Sequence, residues 1–245
     1  MGRKVLLSNK ALELFFEYKP DDSRSARKIS ERVEKIRKKH EPDIIYRIKR
    51  RDRFAIPRID AHPHYMEVIK RINESTRFLD VGSGPGWDLR KVIKDGLIIE
   101  NAKGIDIDPF LIQIGFELYR DKEIMSKVFE IGDALSTRFE SGYFDIVHSG
   151  SVIHALGKLN EVMKHLKEMY RILKKNDGIF FGRTLGNHYE KEYPYSGRGL
   201  YVSTPEKLSV YLNNSGFTEI DIMVEELPKE AIYQPSFMLH FFGKP

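Results

Sequence analysis

The fold is decided by residues 78–89, which read Phe78-Leu79-Asp80-Val81-Gly82-Ser83-Gly84-Pro85-Gly86-Trp87-Asp88-Leu89. The stretch opens with apolar residues, breaks into three glycines at alternate positions and then takes a helical pattern. This order predicts a strand, a tight turn and the N-terminus of a helix. Because glycine has no Cβ, the turn can be sharp and a ligand can lie directly against the backbone. A glycine-rich turn alone is a weak signal, so the rest of the chain must supply the other parts of a nucleotide-type site.

The composition is that of an ordinary globular protein. The chain has 245 residues, of which 31% are charged and 41% are hydrophobic, and this length suits one α/β domain with an appendage. It contains no cysteine, which excludes disulfides and thiolate metal sites. The chain has neither an apolar leader nor the run of about 18 apolar residues that a membrane span needs. We therefore expect a soluble, cytoplasmic protein without membrane contact.

The positive charge is concentrated near the N-terminus. The whole chain carries a formal net charge of +5, whereas residues 24–58 alone hold 14 Lys and Arg against 5 Asp and Glu. Such a segment can contact nucleic acid, an acidic substrate or a membrane surface, or it can be a solvated helix face. The charge pattern leaves these alternatives open.

The first 62 residues are predicted to form a helical extension. Helices are expected over residues 8–18 and 25–39, and the second has a narrow apolar seam at Ala26, Ile29, Val33 and Ile36. This seam must lie either on the body of the same subunit or on a partner chain. We interpret residues 1–62 as a basic extension that serves as a lid or in dimerisation, and residues 63–245 as the α/β domain.

From residue 77 onward, strands alternate with helices, which predicts a parallel sheet covered on both faces. A first helix is expected over 63–72, and the long stretch 185–203 is expected to be a loop that covers the substrate. The predicted strands are 78–81, 102–107, 127–131, 144–149, 179–184, 218–224 and 237–242. The predicted helices of this part are 88–94, 109–119, 160–174 and 205–212.

Polar residues follow four successive strands of this sheet. In open parallel sheets, ligands bind outside the carboxyl ends of the strands. Asp106 ends the second strand, where a carboxylate can accept hydrogen bonds from a ribose diol, and Asp133 follows the third, where it can receive an adenine amine. His148 and Ser149 end the fourth strand. Each residue alone is a common turn or cap residue, but four such strand ends in order indicate a nucleotide-type site.

Two cofactors compete for this site, a nicotinamide dinucleotide and S-adenosylmethionine. The dinucleotide pattern is G-x-G-x-x-G, and Trp87 stands where its third glycine belongs. Asp80 and Asp88 flank the loop, and their negative charge would repel a pyrophosphate but suit an amino group or a sulfonium. The residues therefore favour S-adenosylmethionine.

The ordered motifs of the chain resemble those of the class I S-adenosylmethionine-dependent methyltransferases. They are Leu79-Asp80-Val81-Gly82-Ser83-Gly84-Pro85-Gly86, Gly104-Ile105-Asp106, Gly132-Asp133-Ala134, Phe144-Asp145-Ile146-Val147-His148 and the helix and turn over 166–178. The resemblance covers residues 77–245 and implies an α/β, Rossmann-like fold, with a seven-stranded, mostly parallel sheet and an antiparallel last strand. It implies that the three glycines line the methionine part of the cofactor, Asp106 the ribose and Asp133 the adenine. The predicted cofactor-binding residues are Asp80, Gly82, Ser83, Gly84, Gly86, Asp106, Ile107, Asp133, Ala134, His148 and Ser149.

A narrower resemblance points to fungal small-molecule O-methyltransferases, which methylate carboxyl or hydroxyl groups. It is carried by Phe54-Ala55-Ile56-Pro57-Arg58, His62-Pro63-His64-Tyr65, Trp87-Asp88-Leu89-Arg90-Lys91, the segment 115–121 and Phe181-Gly182-Arg183-Thr184-Leu185-Gly186. Enzymes of this group have a helical N-terminal extension that takes part in dimerisation. The resemblance therefore implies a small-molecule acceptor and a homodimer through the N-terminal helices.

Methyl transfer needs alignment above all, and a base only for some acceptors. A carboxylate acceptor is ionised at neutral pH, whereas a hydroxyl usually needs a general base, most often His. His148 and His154 are the candidate catalytic histidines, and Arg198 the candidate catalytic arginine in a tyrosine-rich loop. Because Arg can bind a carboxylate with two hydrogen bonds, the predicted substrate residues are His62, Arg183 and Arg198. No His-Glu-x-x-His or paired-carboxylate pattern appears, so no metal is expected.

Three functions remain at this point. The favoured function is methylation of an oxygen of a small molecule, a carboxylic acid above all, with S-adenosylhomocysteine as product. The second is methylation of nucleic acid, for which the basic segment would be the electrostatic footprint. The third is a non-catalytic, dimeric protein that binds the cofactor.

Overall fold

The computed structural model describes residues 7–41, 54–193, 199–227 and 235–245. This part of the chain forms two β-sheets, together with α-helices and short 3-10 helices. The strands are β1 (Phe78–Val81), β2 (Ala102–Asp106), β3 (Phe129–Ile131), β4 (Ile146–Gly150), β5 (Ile179–Gly186), β6 (Lys191–Tyr193), β7 (Leu200–Val202), β8 (Thr218–Glu226) and β9 (Phe237–Lys244). The α-helices are α1 (Asn9–Leu12), α2 (Ser23–His40), α3 (Tyr65–Lys70), α4 (Trp87–Lys94), α5 (Pro109–Tyr119), α6 (Lys122–Met125), α7 (Leu159–Ile172) and α8 (Pro205–Asn214). Short 3-10 helices lie at Ile59–Ala61, Ile99–Asn101 and Ile153–Leu156.

The main sheet has seven strands in the order β3-β2-β1-β4-β5-β9-β8. Strands β1 to β5 are parallel to one another, and β9 is antiparallel to both β5 and β8. The predicted α/β fold with an antiparallel last strand is therefore confirmed, and β9 lies between β5 and β8. The strand order reverses between β1 and β4, which is where ligands bind in open parallel sheets.

Capping residues fix where the helices next to the sheet begin. The side chain of Asp108 accepts a hydrogen bond from the backbone N–H of Phe110 at 3.0 Å, and Pro109 follows it as the first residue of α5. Thr204 caps α8 in the same way through the N–H of Lys207 at 3.2 Å. Both caps satisfy N–H groups that a helix leaves unpaired at its start. They place each helix directly after a strand end.

The two faces of the sheet bury different sets of side chains. Leu79 and Val81 of β1 belong to the core that α7 and α8 cover, whereas Phe78 belongs to the core beneath α3 and α4. Since side chains alternate along a strand, Asp80 shares the face of Phe78. Both faces are buried, as a parallel sheet requires.

The N-terminal helices pack on the body of the same chain. Ile29, Val33 and Ile36 of α2 form one buried cluster with Leu111, Ile114 and Leu118 of α5. His40 and Lys39, at the end of α2, pair with Glu117 at 2.7 and 2.8 Å. Of the two partners that the sequence allowed for this apolar seam, the structure thus shows the same subunit.

Two elements differ from the sequence prediction. The helix expected over 8–18 ends at Leu12, because the chain then turns and places Phe15 against Tyr119, with ring centroids 4.7 Å apart. The stretch 185–203 is not all loop, since β5 continues to Gly186 and β6 pairs with β7 in an antiparallel hairpin. No sequence periodicity marked this hairpin, whose strands have three residues each.

Candidate functional site: the carboxyl edge of the parallel strands

The glycine loop (residues 82–86) joins β1 to α4 and has a packed side and an open side. Gly82, Gly84 and Gly86 all have left-handed φ angles, of +66°, +53° and +75°. A Cβ on Gly86 would lie 2.2 Å from the ring of Phe129, so this residue must be glycine to fit. A Cβ on Gly84 would meet no heavy atom of the described residues within 4 Å. The backbone at Gly84 is therefore the bare surface on which a ligand can lie.

Asp106 lies directly beneath this open side. Its Oδ2 accepts a hydrogen bond from the N–H of Gly84 at 2.7 Å, and its Oδ1 accepts one from the N–H of Asp108 at 2.9 Å. Burial raises the pKa of Asp106, and the two N–H groups oppose that rise. Each carboxylate oxygen retains a further lone pair, so Asp106 can still accept hydrogen bonds from a ribose diol.

The carboxyl ends of β2 and β3 border a cavity of about 300 Å³, lined among others by Ile107 and Asp133. The Ile107 side chain is 53% exposed, which leaves an apolar surface for a flat ring. Asp133 Oδ1 accepts a hydrogen bond from the N–H of Leu135 at 2.8 Å, and this bond fixes the turn after β3. The Ala134 carbonyl accepts a hydrogen bond from His165 of α7 at 3.0 Å. The structure thus brings Ile107 and Asp133 to one cavity, next to Asp106, whereas Ala134 is not among the residues that line it.

Asp80 and His148 form a buried pair where β1 meets β4. The two residues are register partners in the sheet, and Nδ1 of His148 lies 2.7 Å from Oδ1 of Asp80. Burial raises the pKa of Asp80, and the contact with His148 lowers it. In this arrangement Nδ1–H donates to Asp80 and Nε2 is left as an acceptor. In the described chain Nε2 makes no hydrogen bond, so it can take a proton.

Two buried polar atoms near the loop have no hydrogen-bond partner within the described ranges, Oδ2 of Asp80 and Oγ of Ser83. Buried polar groups are normally paired, and such an exception calls for a ligand or water. The ammonium and carboxylate groups of a bound amino acid would give both atoms a hydrogen-bond partner. Together with the open backbone of Gly84 and the carboxylate of Asp106, they fit the amino-acid and ribose parts of S-adenosylmethionine.

Ser149 points away from this edge. Its hydroxyl lies 3.0 Å from Nε2 of His165, whose Nδ1–H donates to the Ala134 carbonyl. Burial lowers the pKa of His165 to about 4, so this histidine is neutral and its Nε2 accepts from the hydroxyl. The Ser149 side chain therefore ties β4 to α7, and only the backbone of Ser149 remains for the predicted cofactor contact.

His154 lies in the short 3-10 helix after β4, and Arg183 lies within β5. Nδ1 of His154 accepts a hydrogen bond from the N–H of Leu185 at 3.2 Å. Arg183 is the register partner of Gly150, and its carbonyl accepts the N–H of Ser151 at 2.8 Å. The structure thus connects both predicted residues to the contact between β4 and β5, whereas Arg198 lies outside the described residues.

His62 is fully occupied by backbone groups. Its Nδ1 accepts the N–H of His64 at 3.2 Å, and its Nε2 lies 3.0 Å from the Gly182 carbonyl and 3.2 Å from that of Phe241. Burial lowers the pKa of His62 to about 3, and the nearby His240 adds to this. A neutral ring with Nε2–H satisfies all these contacts. The geometry favours an anchoring role for His62 over the predicted substrate role.

Asp88 binds the backbone of the N-terminal segment. Its Oδ1 accepts hydrogen bonds from the N–H groups of Arg58 and Ile59, at 2.5 and 3.1 Å. The sequence did not predict these contacts. Burial raises the pKa of Asp80, and the negative charge of Asp88 adds to that rise, so this charge still acts beside the glycine loop.

One pair of side chains at the loop was missed from the sequence. Arg90 of α4 pairs with Asp121 at 2.7 Å and also donates to the Pro85 carbonyl at 2.8 Å. Both residues stand in motifs that resemble the fungal enzymes, but spacing gave no reason to pair residues 31 positions apart. An Arg inside the apolar face of α4, 6% exposed, was the available signal.

Within the described residues, no helix has the length and apolar character needed to cross a membrane. The same residues contain no group of three or more His, Cys, Asp or Glu side chains placed to hold a metal ion.

Comparison with known proteins identifies the type of domain to which this chain is similar. Residues 79–181 match the family model of a methyltransferase domain, Methyltransf_11. The chain is 29% identical over 136 residues to the O-methyltransferase phiE of a fungal species, covering 53% of this chain and 45% of phiE. It is 24% identical over 194 residues to the methyltransferase adrK of Penicillium roqueforti, covering 71% of this chain and 69% of adrK. A solved S-adenosylmethionine-dependent methyltransferase of Methanosarcina mazei shares the fold, with a TM-score of 0.57 and 19% identity over 73% of this chain and 96% of that chain.

Residues 79–181 thus carry a methyltransferase domain, and the chain resembles the class I S-adenosylmethionine-dependent methyltransferases. Its relatives include fungal methyltransferases, and the chain spans less than half the length of phiE. Its cofactor is S-adenosylmethionine, and the product of transfer is S-adenosylhomocysteine.

Proposed function

We propose that this protein transfers the methyl group of S-adenosylmethionine to an oxygen atom of a small molecule. The observation that carries the proposal is the Asp80–His148 pair, in which Nε2 of His148 makes no hydrogen bond within the described chain and Asp80 lies two residues before the glycine loop. The names of relatives such as phiE support an oxygen acceptor.

The proposed cofactor contacts follow from the geometry of the edge. Gly82, Gly84 and Gly86 would lie along the methionine part, Asp80 and Ser83 would bind its charged groups, and Asp106 would bind the ribose. The residues proposed for the adenine are Ile107, Asp133 and Ala134, with the backbone of Ser149 at the same edge.

When bound, S-adenosylmethionine supplies a methyl group on a sulfonium, ready for in-line displacement by a lone pair. The role of the protein residues is to hold the acceptor and to receive its proton. Nε2 of His148 would take the proton of an acceptor hydroxyl, and Asp80 would stabilise the imidazolium that forms. A carboxylate acceptor has no proton to give, so it would not need His148 as a base.

The acceptor we propose first is a carboxylic acid, which Arg183 and Arg198 would bind through their guanidinium groups. His154 is proposed beside them, since it lies between the end of β4 and the end of β5. The Asp80–His148 pair is a reason to test hydroxyl acceptors with equal care. We also propose that residues 1–62 are an extension that packs on the domain formed by residues 63–245. Helix α2 of this extension covers helix α5 of the domain.

The test is a mass-spectrometric screen of acidic and phenolic acceptors with S-adenosylmethionine. The proposal predicts an acceptor that gains one methyl group in place of a hydrogen, with an equal amount of S-adenosylhomocysteine formed. If methyl groups appear only on nitrogen or carbon, the oxygen proposal is wrong. Any acceptor-dependent turnover excludes the non-catalytic alternative.

The exposed face of α2 supports nucleic acid as a second candidate acceptor. Its exposed cations are Arg24, Arg27, Lys28, Lys35, Lys38 and Lys39, of which Lys39 pairs with Glu117. Binding through such a face should fall steeply with salt and show no sequence preference. If methyl transfer to RNA or DNA persists at high salt, that result would favour nucleic acid over the small molecule as the acceptor.

The homodimer is also a proposal, and sedimentation would test it. The apolar seam of α2 is not available for a dimer contact, because it is buried against α5.

A further inference from the structure

We propose that Arg90, held by Asp121, keeps the glycine loop in the shape that binds the cofactor, and so acts as a positioning residue. The two side chains are 5% and 1% exposed. Nε of Arg90 donates to Oδ2 of Asp121 at 2.7 Å, and Nη2 donates to Oδ1 at 2.9 Å. This bidentate pair fixes the plane of the guanidinium.

The remaining nitrogen of that plane reaches the loop. Nη1 donates to the carbonyl of Pro85 at 2.8 Å and to that of Gly86 at 3.1 Å. The loop is closely packed at these two residues, whereas the backbone of Gly84 is open within the described structure. A single side chain thus connects the loop to the chain segment that follows α5.

Neighbouring groups leave the guanidinium no other position. It lies over the rings of Tyr119 and Phe129, at 4.2 and 4.9 Å from their centroids. On the α5 side, a Cβ on Gly115 would lie 2.3 Å from the Pro85 carbonyl oxygen, so helix and loop are in direct backbone contact. The loop is therefore in contact with α4 and α5, and Asp106 binds its backbone through the N–H of Gly84.

This support matters because a loop with three left-handed glycines loses much conformational freedom when it is ordered. If the loop is already ordered in the free protein, the entropy cost of ordering it does not reduce the free energy of cofactor binding. Arg90 would then raise cofactor affinity without contacting the cofactor. The inference rests on the proposed placement of the cofactor at this loop.

The first test compares three variants by calorimetry with S-adenosylhomocysteine. Arg90→Lys keeps a positive charge for Asp121 but cannot also serve two carbonyls, so the dissociation constant should rise about 10-fold. The double variant Arg90→Met/Asp121→Leu replaces the buried ion pair by apolar side chains, which should preserve stability but leave the affinity weakened. Leu166→Ala, in the core on the opposite face of the sheet, should lower the melting temperature and leave the affinity unchanged.

The second test needs no cofactor. Amide hydrogen exchange at Gly84 and Gly86 should be faster in the double variant than in the wild type, while exchange in α7 stays the same. Unchanged exchange in the loop would overturn the positioning role alone. Faster exchange with wild-type affinity would overturn the positioning role together with the cofactor placement on which it rests.

Discussion

The two halves of the carboxyl edge are built differently. At the ends of β1 and β2, the contacts are made with the glycine loop itself: Asp106 binds the N–H of Gly84, and the loop is packed against α4 and α5. On the other side, His154 in the 3-10 helix after β4 and Arg183 within β5 are placed by contacts between neighbouring strands. We propose that the first half binds the cofactor and the second half the acceptor. The Asp80–His148 pair lies between the two halves. Variants in the first half should therefore change cofactor affinity, whereas a variant of His148 should change turnover.

The largest expected effect is on turnover, in His148→Gln. Loss of a general base typically lowers a rate by about 100-fold to 10,000-fold, so turnover of a hydroxyl acceptor should fall within that range. Turnover of a carboxylate acceptor should change little, because no proton has to be removed. The rates are measured at saturating S-adenosylmethionine, and affinity for S-adenosylhomocysteine should be retained.

The matched control is His165→Gln, a buried histidine on the other face of the sheet. It should leave the ratio of hydroxyl to carboxylate turnover unchanged. An equal loss with both acceptors in His148→Gln would mean that His148 supports the edge and is not a base.

The next largest effect is on cofactor affinity, in Asp106→Ala. This variant removes the carboxylate and leaves the N–H of Gly84 without its acceptor, so the dissociation constant for S-adenosylhomocysteine should rise about 100-fold. Calorimetry gives the value directly. Asp108→Asn is the control, because asparagine also caps a helix; unchanged affinity in Asp106→Ala would remove Asp106 from the ribose role.

A smaller effect is expected in Gly84→Ala. Gly84 and Gly142 have similar φ angles, +53° and +68°, and a Cβ on either meets nothing within 4 Å in the described structure. The two alanine variants should therefore lose similar stability, about 1 kcal/mol each. Only Gly84→Ala should weaken cofactor binding, by about 10-fold, as measured by calorimetry. Equal affinities in both variants would show that the cofactor does not lie at Gly84.

The effect that is smallest at neutral pH concerns His62 and the dependence of stability on pH. Because its pKa is lowered from about 6.5 to about 3, the unfolded chain binds a proton that the folded chain rejects in this range. The free energy of unfolding should therefore fall as pH decreases from 6.5 towards 3, by up to about 1.4 kcal/mol per pH unit from this residue. Denaturant titrations at several pH values should show a shallower dependence in His62→Gln. A slope identical to the wild type would mean that His62 is solvated.

The difference between the halves also decides what the sequence could predict. The glycine loop, Asp106 and Asp133 follow strands directly, so their positions could be predicted from the alternation of strands and helices. The pairs Asp80–His148 and Arg90–Asp121 join residues 68 and 31 positions apart, and only the register of the sheet or the packing of helices sets them. The contacts of Asp88 and His62 could not be predicted for the same reason: the backbone groups that bind them come from distant segments.

Hydrogen exchange of the wild-type protein, with and without S-adenosylhomocysteine, tests the central claim most directly, that the carboxyl ends of β1 to β3 hold the cofactor. The account predicts slower exchange in three segments that are separate in sequence, 82–86, 106–108 and 132–135, while α7 is unchanged. Binding of S-adenosylhomocysteine with no protection in the glycine loop would contradict it.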